Sequence, residues 1–383
     1  MSEYQYYEFL AVDQPLSKDD MASLHRISSR AEISPTRFTN HYEWGDLKGE
    51  PLDFMRRWFD VHVYVANWMT AIFMVRVPIS ALSENTVEAM TVQDILEFEA
   101  TETHWIITWI LDESENYDRF GAEDGTEWMA RLTPIRDELL RGDVRSLYLG
   151  WLAAVGRGMM DEEESEPLSV PGLGELTDAQ HALAEFIEVD PDLLTGAGVG
   201  SSSAGNQDIP ESTVNDWIAA LPTDFTGEVI RLLLGGEGMK AEATLRSRFL
   251  DYRRSLEGEK NSSPTRTVAE LLKNAEAARE QRHQQEQRER EEIAQKLQET
   301  RDAYLKAMSG DYSRAWKAVR QEVARGTATA YDEVSRMLLD LSDSYATHAT
   351  NSAFREELSR FLSENPRRRA LLQRLVKAGL WKH

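Results

Sequence analysis

The stretch Arg279–Glu292, REQRHQQEQREREE, contains no apolar residue, yet helical periodicity flanks it on both sides. Upstream, Val268, Leu271, Leu272, Ala275 and Ala278 recur at helical spacing. Downstream, Ile293, Leu297, Tyr304 and Met308 resume a stripe at spacings of four, seven and four. Thr267-Val-Ala-Glu270 fits a capping box, in which the Thr hydroxyl and the Glu carboxylate satisfy orphan amides of the first turn. Glu286/Arg290 and Glu292/Lys296 are i,i+4 pairs in the favourable order, about 0.3–0.5 kcal/mol each. The pattern predicts one long charged helix over residues 265–310, roughly 60 Å in length if unbroken. A helix polar on every face cannot bury its central turns in its own core, so it must cross solvent or lie against a partner. A long apolar heptad seam is missing, which argues against a self-sufficient coiled coil.

On the C-terminal side, residues 311–383 read as a bundle of short helices. Their stripes are Trp316, Val319 and Val323, then Tyr331, Val334, Leu338, Leu341 and Tyr345, then Phe354, Leu358 and Phe361. A last stripe follows Pro366, with Leu371, Leu372 and Leu375, and Gly379 as the C-cap. On the N-terminal side, residues 175–256 read as a small helical module carrying a flexible Gly/Ser loop at 195–205. Breaks at 161–174, acidic and then rich in Pro and Gly, and at 257–264 bound that module.

Residues 1–160 mix both periods. Tyr7, Phe9 and Ala11 share one face of a strand; Ser17-Lys-Asp-Asp20 opens a helix with Met21, Leu24 and Ile27 on its apolar side. Val61–Ala66 and Ala71–Val77 read as one hairpin, Ile95–Thr101 and His104–Leu111 as another, and Trp128–Val155 as helical. The fold class expected is an α+β N-terminal domain followed by an all-α C-terminal half with a long charged helix.

The chain of 383 residues is long enough for two or three cores. Its net charge of −23 is uneven: residues 1–170 carry −18, residues 171–264 carry −9 and residues 265–383 carry +4. The acidic part should repel nucleic acid and anionic membrane, so only the C-terminal face is expected to tolerate phosphate. The absence of cysteine excludes disulfides, thiolate nucleophiles and thiolate metal sites. MSEYQYYEF has neither the basic nor the apolar region of a secretory signal. Val61–Val75, the longest charge-free apolar stretch, is too short to span a bilayer. A cytoplasmic protein without membrane contact is expected.

Motifs with chemistry are sparse. His41 and Glu43 lie in Asn40-His-Tyr-Glu-Trp-Gly-Asp46, and His62 and His104 fall in strands. These four are the candidate metal or acid–base residues of the α+β domain, weighed against ordinary loop and strand polar residues. Asp112-Glu-Ser-Glu115 at a strand end is the second carboxylate candidate, weighed against a solvated loop. The glycines at 196–205 match no nucleotide-binding spacing, so no cofactor is expected. Arg367, Arg368, Arg369, Arg374 and Lys377 form the candidate nucleic-acid face. Three bases opening a helix oppose its dipole, so their placement should serve something other than that helix. Seven of the ten tryptophans fall in the first domain; most should be core, with one or two anchoring an interface.

Tyr4-Gln-Tyr-Tyr-Glu-Phe9, Asp13-Gln-Pro-Leu16, Ile33-Ser-Pro-Thr-Arg-Phe38, Trp44-Gly-Asp46, Val65-Ala-Asn-Trp68 and Ala378-Gly-Leu380 together resemble a family of uncharacterised bacterial proteins. Its members pair such an N-terminal domain with a charged helical C-terminal region and sit beside helicase-like or SWIM-type zinc-finger genes. The resemblance implies no activity and no catalytic residues. It hints at nucleic-acid or antiviral defence systems. The function expected is a non-enzymatic interaction or scaffold subunit with a protein partner, self-association through the helical region being one form of it. A nucleic-acid-associated component and a metal-dependent enzyme are the alternatives.

Overall fold

The computed structural model describes residues 4–112, 114, 125–203, 211–236 and 265–381, with isolated positions between 238 and 252. The chain forms two compact units, Met1–Gln281 and Arg282–His383.

The first unit is built on one antiparallel sheet of seven strands in the order β2-β3-β1-β4-β5-β7-β6. The strands are β1 (Gln5–Leu10), β2 (Glu32–Ser34), β3 (Arg37–Tyr42), β4 (Val61–Ala66), β5 (Ala71–Pro78), β6 (Leu96–Ala100) and β7 (His104–Leu111). Both expected hairpins are present, and β5 pairs with β7 from Ala71↔Leu111 to Pro78↔His104 to fuse them. Helices α1 (Lys18–Ile27) and α2 (Pro51–Arg57) cover one face, where Leu24, Phe54 and Met55 pack on Phe9, Phe38, Tyr64 and Met74. Helix α1 starts where the sequence placed it, with Ser17 and Asp20 capping each other's amides.

The opposite face is covered by α3 (Glu84–Met90), α4 (Trp128–Leu132), α5 (Pro134–Leu140), α6 (Arg145–Gly156), α7 (Asp178–Phe186) and α8 (Pro191–Gly198). Val63, Phe73, Val75, Ile107 and Trp109 of the sheet share this core with Leu149, Leu152, Leu183 and Phe186. Trp128 meets Phe186 edge-on at 5.1 Å. Helices α7 and α8 thus complete the sheet's core, where the sequence suggested a separate helical module. Two further helices of the middle region are α9 (Glu211–Ala219) and α10 (Thr223–Leu234); among their described residues Val229 of α10 is the buried one. Antiparallel sheets commonly leave one face to water. With both faces covered here, all six residues of β4 are buried, which is why Val61–Ala66 reads as a nearly continuous apolar run.

Helix α11 (Val268–Ser309) is the long helix, 42 residues without a break. Its capping box is present: Glu270 N–H donates to Thr267 Oγ1 at 3.2 Å, and Thr267 N–H to Glu270 Oε2 at 2.8 Å. The acidic run expected as a linker supplies further acceptors. Val268 N–H donates to Glu164 O at 2.8 Å and Ala269 N–H to Glu162 O at 3.0 Å. The first amides of a helix have no partner within it, so these carbonyls fill a real vacancy. Ser165 bridges Thr267, and Arg266 forks onto the buried Glu166 carboxylate with a closest approach of 2.6 Å. The first turns then bury Val268, Leu271 and Ala275 in the first unit's core. Gly196 of α8 allows this approach, since a Cβ there would lie 2.6 Å from Ala275 N. Thr195–Gly198 of the expected flexible loop therefore belong to α8, and Ser201 Oγ accepts from Leu173 N–H at 3.1 Å. Residues 204–205 and the break at 257–264 lie outside the described residues.

The second unit packs the end of α11 with α12 (Tyr312–Ala324), α13 (Ala328–His348), α14 (Asn351–Glu364) and α15 (Arg369–Lys377). All four stripes read from the sequence face its core, from Trp316 and Val319 to Leu371 and Leu375. Asp311, Thr327 and Thr350 each accept an amide of the following first turn, at 2.9, 3.2 and 3.3 Å. Among the described residues no helix is long and apolar enough to cross a membrane.

Replacing Arg266 by Ala leaves the Glu166 charge buried with only the Tyr148 hydroxyl and the Arg266 position's amide against it. We expect a loss of about 3 kcal/mol or more in denaturant unfolding. Gly196→Val should cost about 1–3 kcal/mol by forcing α8 off α11.

Candidate functional site

The four candidate metal residues are placed apart. His41 lies in β3 one residue before its end, opposite Tyr6, exposed, with Nδ1 3.0 Å from the Tyr4 hydroxyl. His62 lies opposite Phe9 in β4, and because alternate residues of a strand face opposite ways, it points to the other side of the sheet from His41. Its ring is wholly buried and stacks on Phe9 at 3.8 Å. Nδ1 lies 2.9 Å from Glu8 O; a carbonyl only accepts, so Nδ1 carries the proton, and Nε2 has no partner among the described residues. Burial pushes the His62 pKa down to about 3. His104 opens β7 opposite Pro78, beside the Thr103 hydroxyl at 2.7 Å, with its pKa lowered by burial and then by Arg76. Glu43 is exposed in the loop after β3. Among the described residues no group of three or more histidines and carboxylates could hold a metal ion. Asp112 accepts the Thr70 hydroxyl at 3.0 Å; Glu113 and Glu115 lie outside the described residues.

The basic cluster separates into two kinds of residue. Arg368 reaches back to the end of α12, donating to Val323 O and to the Tyr331 hydroxyl. It neutralises the carbonyl end of that helix, which explains why bases tolerate the start of α15. Arg374 pairs with Asp332. Arg367, Arg369 and Lys377 are exposed.

Three charged networks escaped the sequence reading. Glu8, wholly buried, accepts from Tyr6 and Arg37. At the far end of the sheet Asp60 accepts from Arg76 at 2.8 Å, and its other oxygen takes the Val12 and Asp13 amides at 2.7 and 2.9 Å. Buried Arg136 bonds Arg76 O and Asp13 there, at 2.8 and 2.6 Å. At the near end Gln5 receives the Tyr7 and Tyr64 hydroxyls at 2.8 and 3.1 Å and donates to Gly45 O and Asp46. A polar residue inside a strand with two covered faces must find a partner, but single-strand periodicity assigns Glu8 to a solvent face.

The middle of α11 is exposed along nearly its whole length. From Gln281 to Thr300 every residue is exposed except the half-buried Glu286. Between His283 and Thr300 the side-chain bonds among described residues stay within the helix: Gln285–Glu289, Gln287–Glu291, Gln295–Glu299 and Gln298–Asp302, each at 2.8–2.9 Å. Ile293 is 59% and Leu297 67% exposed, one turn apart. Beyond them Arg301 pairs with Asp340 and Asp343, Leu305 is buried, and Met308 packs against the second unit's core.

Comparison with family models, with curated proteins and with solved structures finds no match. Functional assignment therefore rests on geometry and charge.

The His62 environment fixes a sign. Its folded pKa lies below the unfolded value near 6.5, so its contribution is complete above pH 6.5 and is lost as pH falls toward 3. His62→Phe should remove a slope of up to about 1.4 kcal/mol per pH unit from the unfolding free energy in that window. In the second unit, Arg368→Ala should cost about 1–3 kcal/mol in thermal unfolding, whereas Arg367→Ala and Arg369→Ala should stay within about 0.5 kcal/mol.

Proposed function

We propose that the protein is a non-enzymatic interaction subunit of a bacterial multiprotein system, and that it engages a protein partner along the middle of α11. One observation carries this reading: the helix enters a core at its start and packs Met308 against another at its end, yet nineteen of the twenty residues from Gln281 to Thr300 are exposed. A polar helix of that length is marginal alone. Burial of its two ends keeps it folded, so its backbone is ordered before any partner arrives and little backbone entropy is lost on binding. Ile293 and Leu297 supply the apolar contact, with Arg and Glu residues around them to set register. A second copy of the chain satisfies the same chemistry as a different protein.

The test is purification from the native host, with and without nuclease, of the protein and of an Ile293→Asp/Leu297→Asp variant. Both positions are exposed, so the variant should fold. The expected result is a stoichiometric protein partner that survives nuclease and is lost in the variant. An unchanged complex in the variant overturns the reading.

Exposed Arg367, Arg369 and Lys377 favour a second reading, a nucleic-acid-associated component of a defence system that uses the C-terminal face. It predicts salt-sensitive DNA or RNA binding that weakens when all three are changed to Ala and that Arg368, held by α12, influences only through stability.

A further inference from the structure

The end of the sheet at which β1 begins carries two exposed indoles. Trp44, in the loop after β3, is 71% exposed, and Trp68, in the turn between β4 and β5, is 43% exposed. Tyr42 and Ala66, from which these segments leave, both lie opposite Gln5 on the two strands flanking β1. At a strand spacing of about 4.8 Å, the two launch points are roughly 10 Å apart.

Both segments are pinned. Buried Gln5 donates to Gly45 O at 3.1 Å and to Asp46 Oδ1 at 2.8 Å, and is itself held by the Tyr7 and Tyr64 hydroxyls. On the other side Asn67 exchanges bonds with Tyr4: its N–H donates to Tyr4 O and its Oδ1 accepts from Tyr4 N–H, both at 3.0 Å. Met69 follows in the left-handed region at φ 72°, buried, with its amide on Ala66 O at 3.1 Å. A non-glycine residue keeps that conformation where its surroundings over-determine it. Large aromatic side chains on ordered backbone, left in water, are the usual anchors of a protein interface.

The charge around them selects the partner. Glu43, Asp46, Glu50 and Asp112 are exposed at this end, and Lys48 is the one base in the loop over 43–50. Asp46 accepts from Gln5, which also holds the Tyr64 hydroxyl, and Asp112 accepts the hydroxyl of Thr70 beside the Trp68 turn, so both acids sit at this end. Such a surface repels phosphate, so a nucleic acid is disfavoured. It suits guanidinium and ammonium groups, which stack on indole faces while pairing with the carboxylates.

We infer that this sheet end is a docking surface for an arginine- and lysine-rich segment of a partner protein. The inference rests on the interaction-subunit reading and adds a second surface to it, with its chemistry. The probe is a fluorescein-labelled peptide of alternating arginine and glycine, with its glutamate-for-arginine counterpart, titrated with the full chain and followed by anisotropy at low salt. The expected result is binding of the arginine peptide only, weakened about tenfold or more by Trp44→Ala/Trp68→Ala and unchanged by Ile79→Ala, an exposed site remote from this end. Both indoles are exposed, and unchanged thermal unfolding of the double variant certifies its fold. Equal affinity in the tryptophan variant means delocalised charge alone and overturns the inference, as does failure to prefer the arginine peptide. If either occurs while the native complex still forms and is lost with Ile293→Asp/Leu297→Asp, this surface falls and the interaction reading stands.

Discussion

The Arg266–Glu166 ion pair joins segments 100 residues apart and sets the start of the long helix. Burial alone would raise the Glu166 carboxyl; the forked Arg266 guanidinium and the Tyr148 hydroxyl reverse this and hold it below its usual range. Arg266 also donates to Ala197 O and Val199 O at the end of α8, at 2.9 and 2.6 Å. One guanidinium thus links the acidic run, the end of α8 and the residue before the capping box. Breaking a buried pair on one side costs more than forming it contributes, because the remaining charge stays dehydrated. The pair therefore acts mainly as a constraint on where α11 begins and which of its faces enters the core.

That constraint explains how a helix so polar can exist. Its first turns bury Val268, Leu271 and Ala275, and its last bury Leu305. Arg279 reinforces the start by bonding Asp190 and Asp192 at 3.0 and 3.2 Å. Nucleation is the costly step of helix formation, and it is met by tertiary burial at both ends. The turns between need only propagate, helped by hydrogen bonds of Gln to Glu or Asp four residues on, each worth a few tenths of a kcal/mol. The outcome is an ordered charged surface with no burial of its own, which is the form an interaction element requires.

The sheet shows the same economy with charge. Its polar residues are consumed in closed networks: Glu8 by Tyr6 and Arg37, and Asp60 by Arg76 and two amides. His62, the most buried histidine of the candidate set, is held neutral by desolvation and stacked on Phe9. These groups are fixed in place by their partners and buried. What the first unit leaves in water is aromatic and acidic at one sheet end, and that contrast directs attention to binding.

The sequence by itself determined many of the elements, though not β2, β3 or α3. Short β-rich runs gave both hairpins, period-3.6 stripes gave the bundle helices, and the capping boxes at Ser17 and Thr267 located two helix starts, because these signals lie within a few residues of one another. The apolar-free stretch Arg279–Glu292 likewise announced an exposed helix, since no fold buries such a surface. Only the tertiary structure decided what the polar residues do. Asp161–Glu166 reads as a linker until its carbonyls meet the amides of α11, and Arg368 reads as a phosphate ligand until it meets the end of α12. His41 and His62 read as neighbours in function until strand register sends them to opposite faces. Each of these depends on a partner tens of residues away, chosen by register and helix crossing, and no local pattern encodes that distance.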